Sequence, residues 1–199
     1  AAQARAAREE QIMERLRQAR RDVALTAALA DLAGLWPLER VTRALSDFAD
    51  LAIDLAIAAA MAERGAPNRG LAALALGKLG SHELNYSSDI DPILIFDPET
   101  MPRRSRDDPT EAAVRIARRM VEILSARTAD GHVLRVDLRL RPHPEVTPIV
   151  LPVDAAISYY ESEALAWEQA AFIRSRASAG DRDLGRQFLS AIAPFIWRR

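Results

Sequence analysis

Asp89 and Asp91 stand two residues apart at the start of an apolar run, Ile90 to Phe96. On an extended strand that spacing turns both side chains to one face. Two adjacent carboxylates repel each other unless a divalent cation lies between them, and hard oxygen ligands select Mg²⁺ or Mn²⁺. An Asp-x-Asp pair is a weak signal by itself, but two other features add to it. Gly80-Ser81 lies eight residues before Asp89 and directly after a second apolar run, Leu71 to Leu76. Glycine lets the backbone approach a phosphate closely, and turn N–H groups with a hydroxyl can donate to it. Lys78, in the same turn, is placed to meet a phosphate. The third feature is the segment Arg135-Val136-Asp137-Leu138-Arg139-Leu140-Arg141, in which charged and apolar residues alternate. As a strand it turns Asp137 and three arginines to one face. Two readings follow: a structural ion-pair ladder, or a third metal-facing carboxylate beside arginines whose planar forks suit phosphate oxygens.

These parts describe metal-assisted phosphoryl or nucleotidyl transfer. Two ions roughly 3.5–4 Å apart can clamp the attacking and leaving oxygens of an in-line displacement. Metals and arginines would offset charge on the phosphorus oxygens, and no covalent nucleophile is needed. Asp89, Asp91 and Asp137 are therefore the candidate catalytic and metal-binding residues. Gly80, Ser81, Lys78, Arg139 and Arg141 are the candidate phosphate-binding ones.

The surrounding periodicities predict what must hold these residues. Apolar positions at helical spacing predict helices over 5–33 and from Pro37 or Leu38 to about 63. Ile12, Leu16, Ala19 and Val23 mark the buried stripe of the first; Ala49, Ala52, Ala56, Ala59 and Ala60 mark a close-packing face on the second. A break at 65–70 opens an α/β part with strands at 71–76, 90–96 and 133–140, and a helix at 110–128 behind an acidic start at 107–111. Beyond Pro142-His143-Pro144 helices are expected at 153–163, 164–173 and 183–192. The organisation is an N-terminal helical segment (1–66), an α/β core (67–142) and a C-terminal helical segment (143–199). His82 and His132 read as loop and turn residues, Trp167, Phe172 and Trp197 as core or interface. Arg174 and Arg176 read as side chains able to aim at the cleft.

Composition narrows the class. The 199 residues hold 27 Lys plus Arg against 28 Asp plus Glu, a net charge of -1, which argues against a dedicated nucleic-acid binder. No cysteine is present, which removes thiolate metal sites and fits a reducing cytoplasm. The apolar run 51–61 is too short for a bilayer, so no membrane partner is expected. Both ends read as cuts in a longer protein.

The run Leu76-Gly77-Lys78-Leu79-Gly80-Ser81-His82-Glu83-Leu84-Asn85-Tyr86-Ser87-Ser88-Asp89-Ile90-Asp91 closely resembles the signature of the glutamine synthetase adenylyltransferase/adenylyl-removing family. Val136-Asp137-Leu138-Arg139-Leu140-Arg141-Pro142, Tyr159-Tyr160-Glu161, Trp167-Glu168 and Arg176 with Gly180-Asp181 extend the resemblance over about residues 70–199. It implies an α+β fold: a polymerase-β-type nucleotidyltransferase core with a small mixed sheet and flanking α-helical segments. It implies metal binding by Asp89 and Asp91, a third carboxylate at Asp137, and phosphate binding by Gly80 and Ser81. Family members carry two such domains. One removes AMP from a tyrosine of glutamine synthetase, with phosphate in and ADP out; the other attaches AMP from ATP. The stretch from Phe188 to Arg199, with Tyr159-Tyr160-Glu161, resembles the removing half. The implied partners are glutamine synthetase, ADP or ATP, inorganic phosphate and, in the full-length enzyme, the PII signal protein. The other readings are the adenylylating half, an inactive regulatory module, and a transferase acting on RNA or a small molecule. Pro92 stands where the family usually has leucine, and predicts an edge or bulge in its strand. The loop 143–148 replaces a glycine-rich turn, and Arg174 a common lysine.

Overall fold

The computed structural model describes residues 2–104 and 106–197, with side chains from residue 10 onward. Arg198 and Arg199, which close the C-terminal stretch noted above, lie outside the described residues. Two long helices come first, α1 (Ala2–Leu32) and α2 (Leu38–Ala62), followed by β1 (Leu71–Ala75), the single turn α3 (Gly77–Gly80) and β2 (Pro92–Phe96). Then come α4 (Pro109–Ser125), β3 (Leu151–Pro152), α5 (Val153–Ser162), α6 (Ala166–Phe172), β4 (Arg176–Gly180) and α7 (Arg182–Ile196). Among the described residues the strands form one mixed sheet in the order β3-β2-β1-β4.

β1 and β2 are buried along their whole length, because both faces of the sheet are covered. Leu71, Ala73, Ala75, Leu94 and Phe96 face a cluster built from α1, α2 and α4. Ala72, Leu74, Ile93 and Ile95 face the other way, onto Ala156, Tyr160, Phe172 and Phe188 of α5, α6 and α7. The predicted stripe of α1 is borne out: Leu16 is buried, and Ile12, Ala19 and Val23 pack against the first cluster. α2 lays Ala49, Ala52, Ala56 and Ala60 into the same cluster. α4 starts as its acidic signal predicts, with Asp108 accepting from the Glu111 amide at 2.9 Å and Pro109 in the first turn.

The antiparallel register of β1 and β2 determines where the motif goes. Ala75 lies opposite Pro92. The end of β1 therefore meets the start of β2, and the Gly77–Ser81 turn comes beside Asp91. β4 also runs antiparallel to β1, with Arg176 opposite Ala75, so three chain segments converge on one end of the sheet. The other end is closed by carboxylate–amide contacts. The Gly180 amide donates to Asp54 at 2.8 Å and the Gly70 amide to Asp181 at 2.9 Å, while Asp181 also caps α7.

Three expectations are corrected. Residues 133–140 do not form a strand. They make one parallel bridge, Ile90 with Val136, through Ile90 N to Arg135 O at 3.0 Å and Asp137 N to Ile90 O at 2.9 Å. The next donor along that edge belongs to Pro92, which has no N–H, so the ladder stops and the chain turns away. Pro92 is the first residue of β2, which is an inner strand rather than an edge strand; its β3 neighbour pairs only from Ile95 onward, so Pro92 itself is paired through β1. Residues 143–199 are not wholly helical either, since they supply β3 and β4. The Arg-Ala-Ser-Ala-Gly sequence of β4 has almost no apolar signal. It is buried where it is because small side chains fit between β1, α2 and α7, and Ser178 donates to Ala73 O at 3.0 Å.

Candidate active site

Asp91 is half-buried and lies at the meeting point of the site. An ideal Cβ on Gly77 would come 3.8 Å from its Oδ2, and Gly77 adopts φ +54°, a conformation that favours glycine. The Asp91 carboxyl is held above the usual carboxylate range. Burial is the first cause, then the charges of Asp137 and Asp89, opposed by Arg139 and Lys78. Those are the residues that the motif spacing assigned to one site, and the bridge between Ile90 and Val136 accounts for the arrival of Asp137 there. Lys78 is exposed on α3, close enough to Asp91 for its charge to oppose the rise in the Asp91 pKa.

The two outer carboxylates each have a guanidinium partner. Arg135 donates through Nε to Asp89 and through Nη2 to Ser87 O. Arg139 places Nε 2.9 and 2.8 Å from the two oxygens of Asp137, and its backbone amide also donates to Asp137 at 2.9 Å. Those bonds hold the Asp137 carboxyl below its ordinary range. Asp89 and Asp137 are thereby drawn toward their arginines and do not converge with Asp91 on a single point. Asp89, Asp91 and Asp137 supply oxygens of the type that a hard divalent cation takes, from adjacent backbone segments, and the central carboxyl is burdened by the charges of its neighbours.

Other residues take parts that the sequence did not reveal. Gly80 is buried under the chain after α6: a Cβ there would lie 1.9 Å from Arg174 O and 2.9 Å from Ala75 O. Its bare backbone makes room for packing. The Ser81 hydroxyl donates back to Gly77 O at 3.3 Å. Arg141 is a loop clamp, donating to Leu138 O, Pro144 O and Pro148 O at 2.6, 2.6 and 3.1 Å. Arg174 pairs with Glu83 at the surface. Arg176 does not enter the cleft. It forms a two-pronged pair with Asp50 at 2.5 and 2.9 Å and donates to Leu79 O at 2.9 Å, fastening α3 to α2. Arg176→Ala leaves the mostly buried Asp50 without its cation. We expect a loss of about 2 kcal/mol, as for a hydrogen bond to a charged group, read as a melting temperature lower by roughly 4–8 °C.

A second group of ligand types lies nearby. Among the described residues, Asp47, Asp50 and His82 have ligand atoms within 4.8 Å of one another and could hold a metal ion. His82 adopts φ +57°, with Nδ1 3.6 Å from Asp47 Oδ1. Burial, then Arg176 and Arg43, lower its pKa and favour the neutral ring. Asp50 is already held by Arg176, and Asp47 by Arg43 at 2.8 Å. No carboxylate of this group is left without a cation partner, whereas Asp91 has none in direct contact among the described residues.

Among the described residues a small mixed sheet with helices on both faces, and an acidic corner at the end of its central strands, is consistent with a nucleotidyltransferase-type core. A family model described as Glutamate-ammonia ligase adenylyltransferase matches residues 1–191. The chain belongs to that family. It is 45% identical to the bifunctional glutamine synthetase adenylyltransferase/adenylyl-removing enzyme of Rhizobium meliloti (strain 1021), over 95% of this chain and 20% of the relative. With the enzyme of the same description from Caulobacter vibrioides identity is 47% over 92% of this chain and 20% of the relative. With that of Xanthobacter autotrophicus it is 46% over the whole chain and 21% of the relative. The chain thus spans about a fifth of the length of these relatives. No helix among the described residues is long and apolar enough to cross a membrane.

Proposed function

We propose that this chain is the deadenylylating nucleotidyltransferase domain of such an enzyme, removing AMP from an adenylyl-tyrosine of glutamine synthetase by phosphorolysis. One observation carries the reading: a glycine turn with Lys78, the Asp89/Asp91 pair and Asp137 meet at one end of the sheet, with Asp91 pressed among like charges. A phosphate oxygen forms a bond to the AMP phosphorus, the bond to the tyrosine oxygen breaks, and the products are ADP and the unmodified tyrosine side chain, whose oxygen takes up the proton that the attacking phosphate gives up. Asp89, Asp91 and Asp137 would hold Mg²⁺ or Mn²⁺, which supplies charge stabilisation at the phosphorus oxygens. Lys78 and Arg139 border the carboxylates and bind the attacking phosphate. Gly77 keeps the turn close to Asp91, and Gly80 with Ser81 shapes it. The C-terminal resemblance supports the removing direction, and the cytoplasm is the compartment where glutamine synthetase, ADP and phosphate meet. In the full-length enzyme the PII protein is the expected source of control.

Incubating the chain with AMP-modified glutamine synthetase, phosphate and Mg²⁺ is expected to release ADP at a rate that depends on phosphate. Attachment of AMP from ATP, with no ADP released in the reverse assay, would assign the chain to the adenylylating half.

A further inference from the structure

Arg135 and Arg139 differ from the other arginines around the site. Arg141 is bound to carbonyls of its own loop, and Arg176 is locked between Asp50 and Leu79. Among the described residues Arg139 instead holds only Asp137, two residues away, and its side chain is 84% exposed, against 21% for Asp137. Arg135 holds Asp89 with both side chains about half exposed, and its other hydrogen bond goes to a single carbonyl, Ser87 O, so it is less free than Arg139 but less tied than Arg141. A guanidinium fork engaged by a carboxylate presents the same donors that a phosphate takes, so it serves one or the other. A cation gathered by Asp89, Asp91 and Asp137 competes for the same carboxylate oxygens.

We propose that Arg135 and Arg139 are exchangeable counter-ions: each neutralises a carboxylate of the cation site, and cation binding releases it to take phosphate oxygens of the substrate. Cation and phosphate then bind with positive coupling, and by linkage each strengthens the other by the same factor. The proposal rests on reading Asp89, Asp91 and Asp137 as the cation site. It adds Arg135 to the phosphate-facing residues and couples cation and phosphate at one site.

The sign of one measurement separates this from a positioning role. An arginine that merely orients Asp137 should weaken cation binding when removed; a competing counter-ion should strengthen it. Mn²⁺ binding is measured by electron paramagnetic resonance without phosphate, for the unaltered chain and for Arg139→Ala, Arg139→Gln, Arg135→Ala and Asp91→Asn. The arginine variants are expected to bind Mn²⁺ about two- to fivefold tighter, the size of one exposed ion pair. Phosphate affinity at saturating Mg²⁺, read by calorimetry, is expected to fall about tenfold or more in Arg139→Ala, as loss of a charge-assisted pair implies. Equal or weaker Mn²⁺ binding by both Arg139 variants, or unchanged phosphate affinity, overturns the exchange while leaving the cation site standing. Equal Mn²⁺ binding by Asp91→Asn and the unaltered chain removes the cation site, and the exchange with it.

Discussion

Asp91→Asn is expected to make the chain more heat-stable in the absence of divalent cation and at the same time to lower phosphorolysis about a thousandfold. The first effect follows from charge. Burial and the neighbouring Asp137 and Asp89 raise the Asp91 pKa. A carboxylate whose pKa is higher folded than unfolded favours folding fully below its unfolded pKa, and that contribution is lost as pH rises through the raised folded value. At neutral pH the ionised group opposes folding, and an amide of the same shape removes the opposition. The melting temperatures of the two proteins should therefore converge as pH falls toward the carboxylate range and separate above it. Divalent cation should reverse the order. Ligand binding to the folded state at about 100 times Kd adds roughly 2.7 kcal/mol, and the asparagine variant forfeits most of this. The rate loss reflects the several kcal/mol of transition-state charge stabilisation that a bound metal supplies, each 1.36 kcal/mol being about tenfold. Scanning calorimetry from pH 4 to pH 8, with and without Mg²⁺, checks the first part. A variant less stable at every pH would show that Asp91 is a structural carboxylate.

Gly80→Ala is expected to cost about 3 kcal/mol of stability, the upper part of the overpacking range, and to lower the melting temperature by roughly 6–12 °C. The added methyl would meet Arg174 O at 1.9 Å and Ala75 O at 2.9 Å. Both obstacles are backbone, so no rotamer change relieves them. The loss should be accompanied by damage to the site, because α3 must shift and carries Lys78 with it. If glycine were needed there only for a phosphate to approach, the variant would keep its melting temperature and lose phosphate affinity alone. Chemical and thermal unfolding distinguish the two.

The motif residues were readable because chemistry constrains their types: two acids two apart, a glycine turn and a lone acid among arginines. The helices α1, α2 and α4 were readable from periodicity, and α4 also from its acidic start at 107–111. Local pattern could not show β4, whose four small residues after Arg176 are a strand only because β1, α2 and α7 enclose them. The alternation at 135–141 placed Arg135, Asp137 and Arg139 on one face, yet overstated the strand. A ladder needs a partner donor at every second residue, and Pro92, far away in sequence, withholds it. The same distance hides the role of Arg176, whose partner Asp50 is 126 residues away. Glycine 80 was visible as a turn residue, but the carbonyl it accommodates belongs to Arg174, and only the assembled fold brings the two together.

The claim on which the rest depends is that Asp89, Asp91 and Asp137 form a divalent cation site. Mn²⁺ soaked into crystals of the chain, located by its anomalous scattering, tests it directly. The expected map has a peak bounded by those three carboxylates, with the Arg139 guanidinium no longer on Asp137. A peak among Asp47, Asp50 and His82 alone, or none near Asp91, would contradict it.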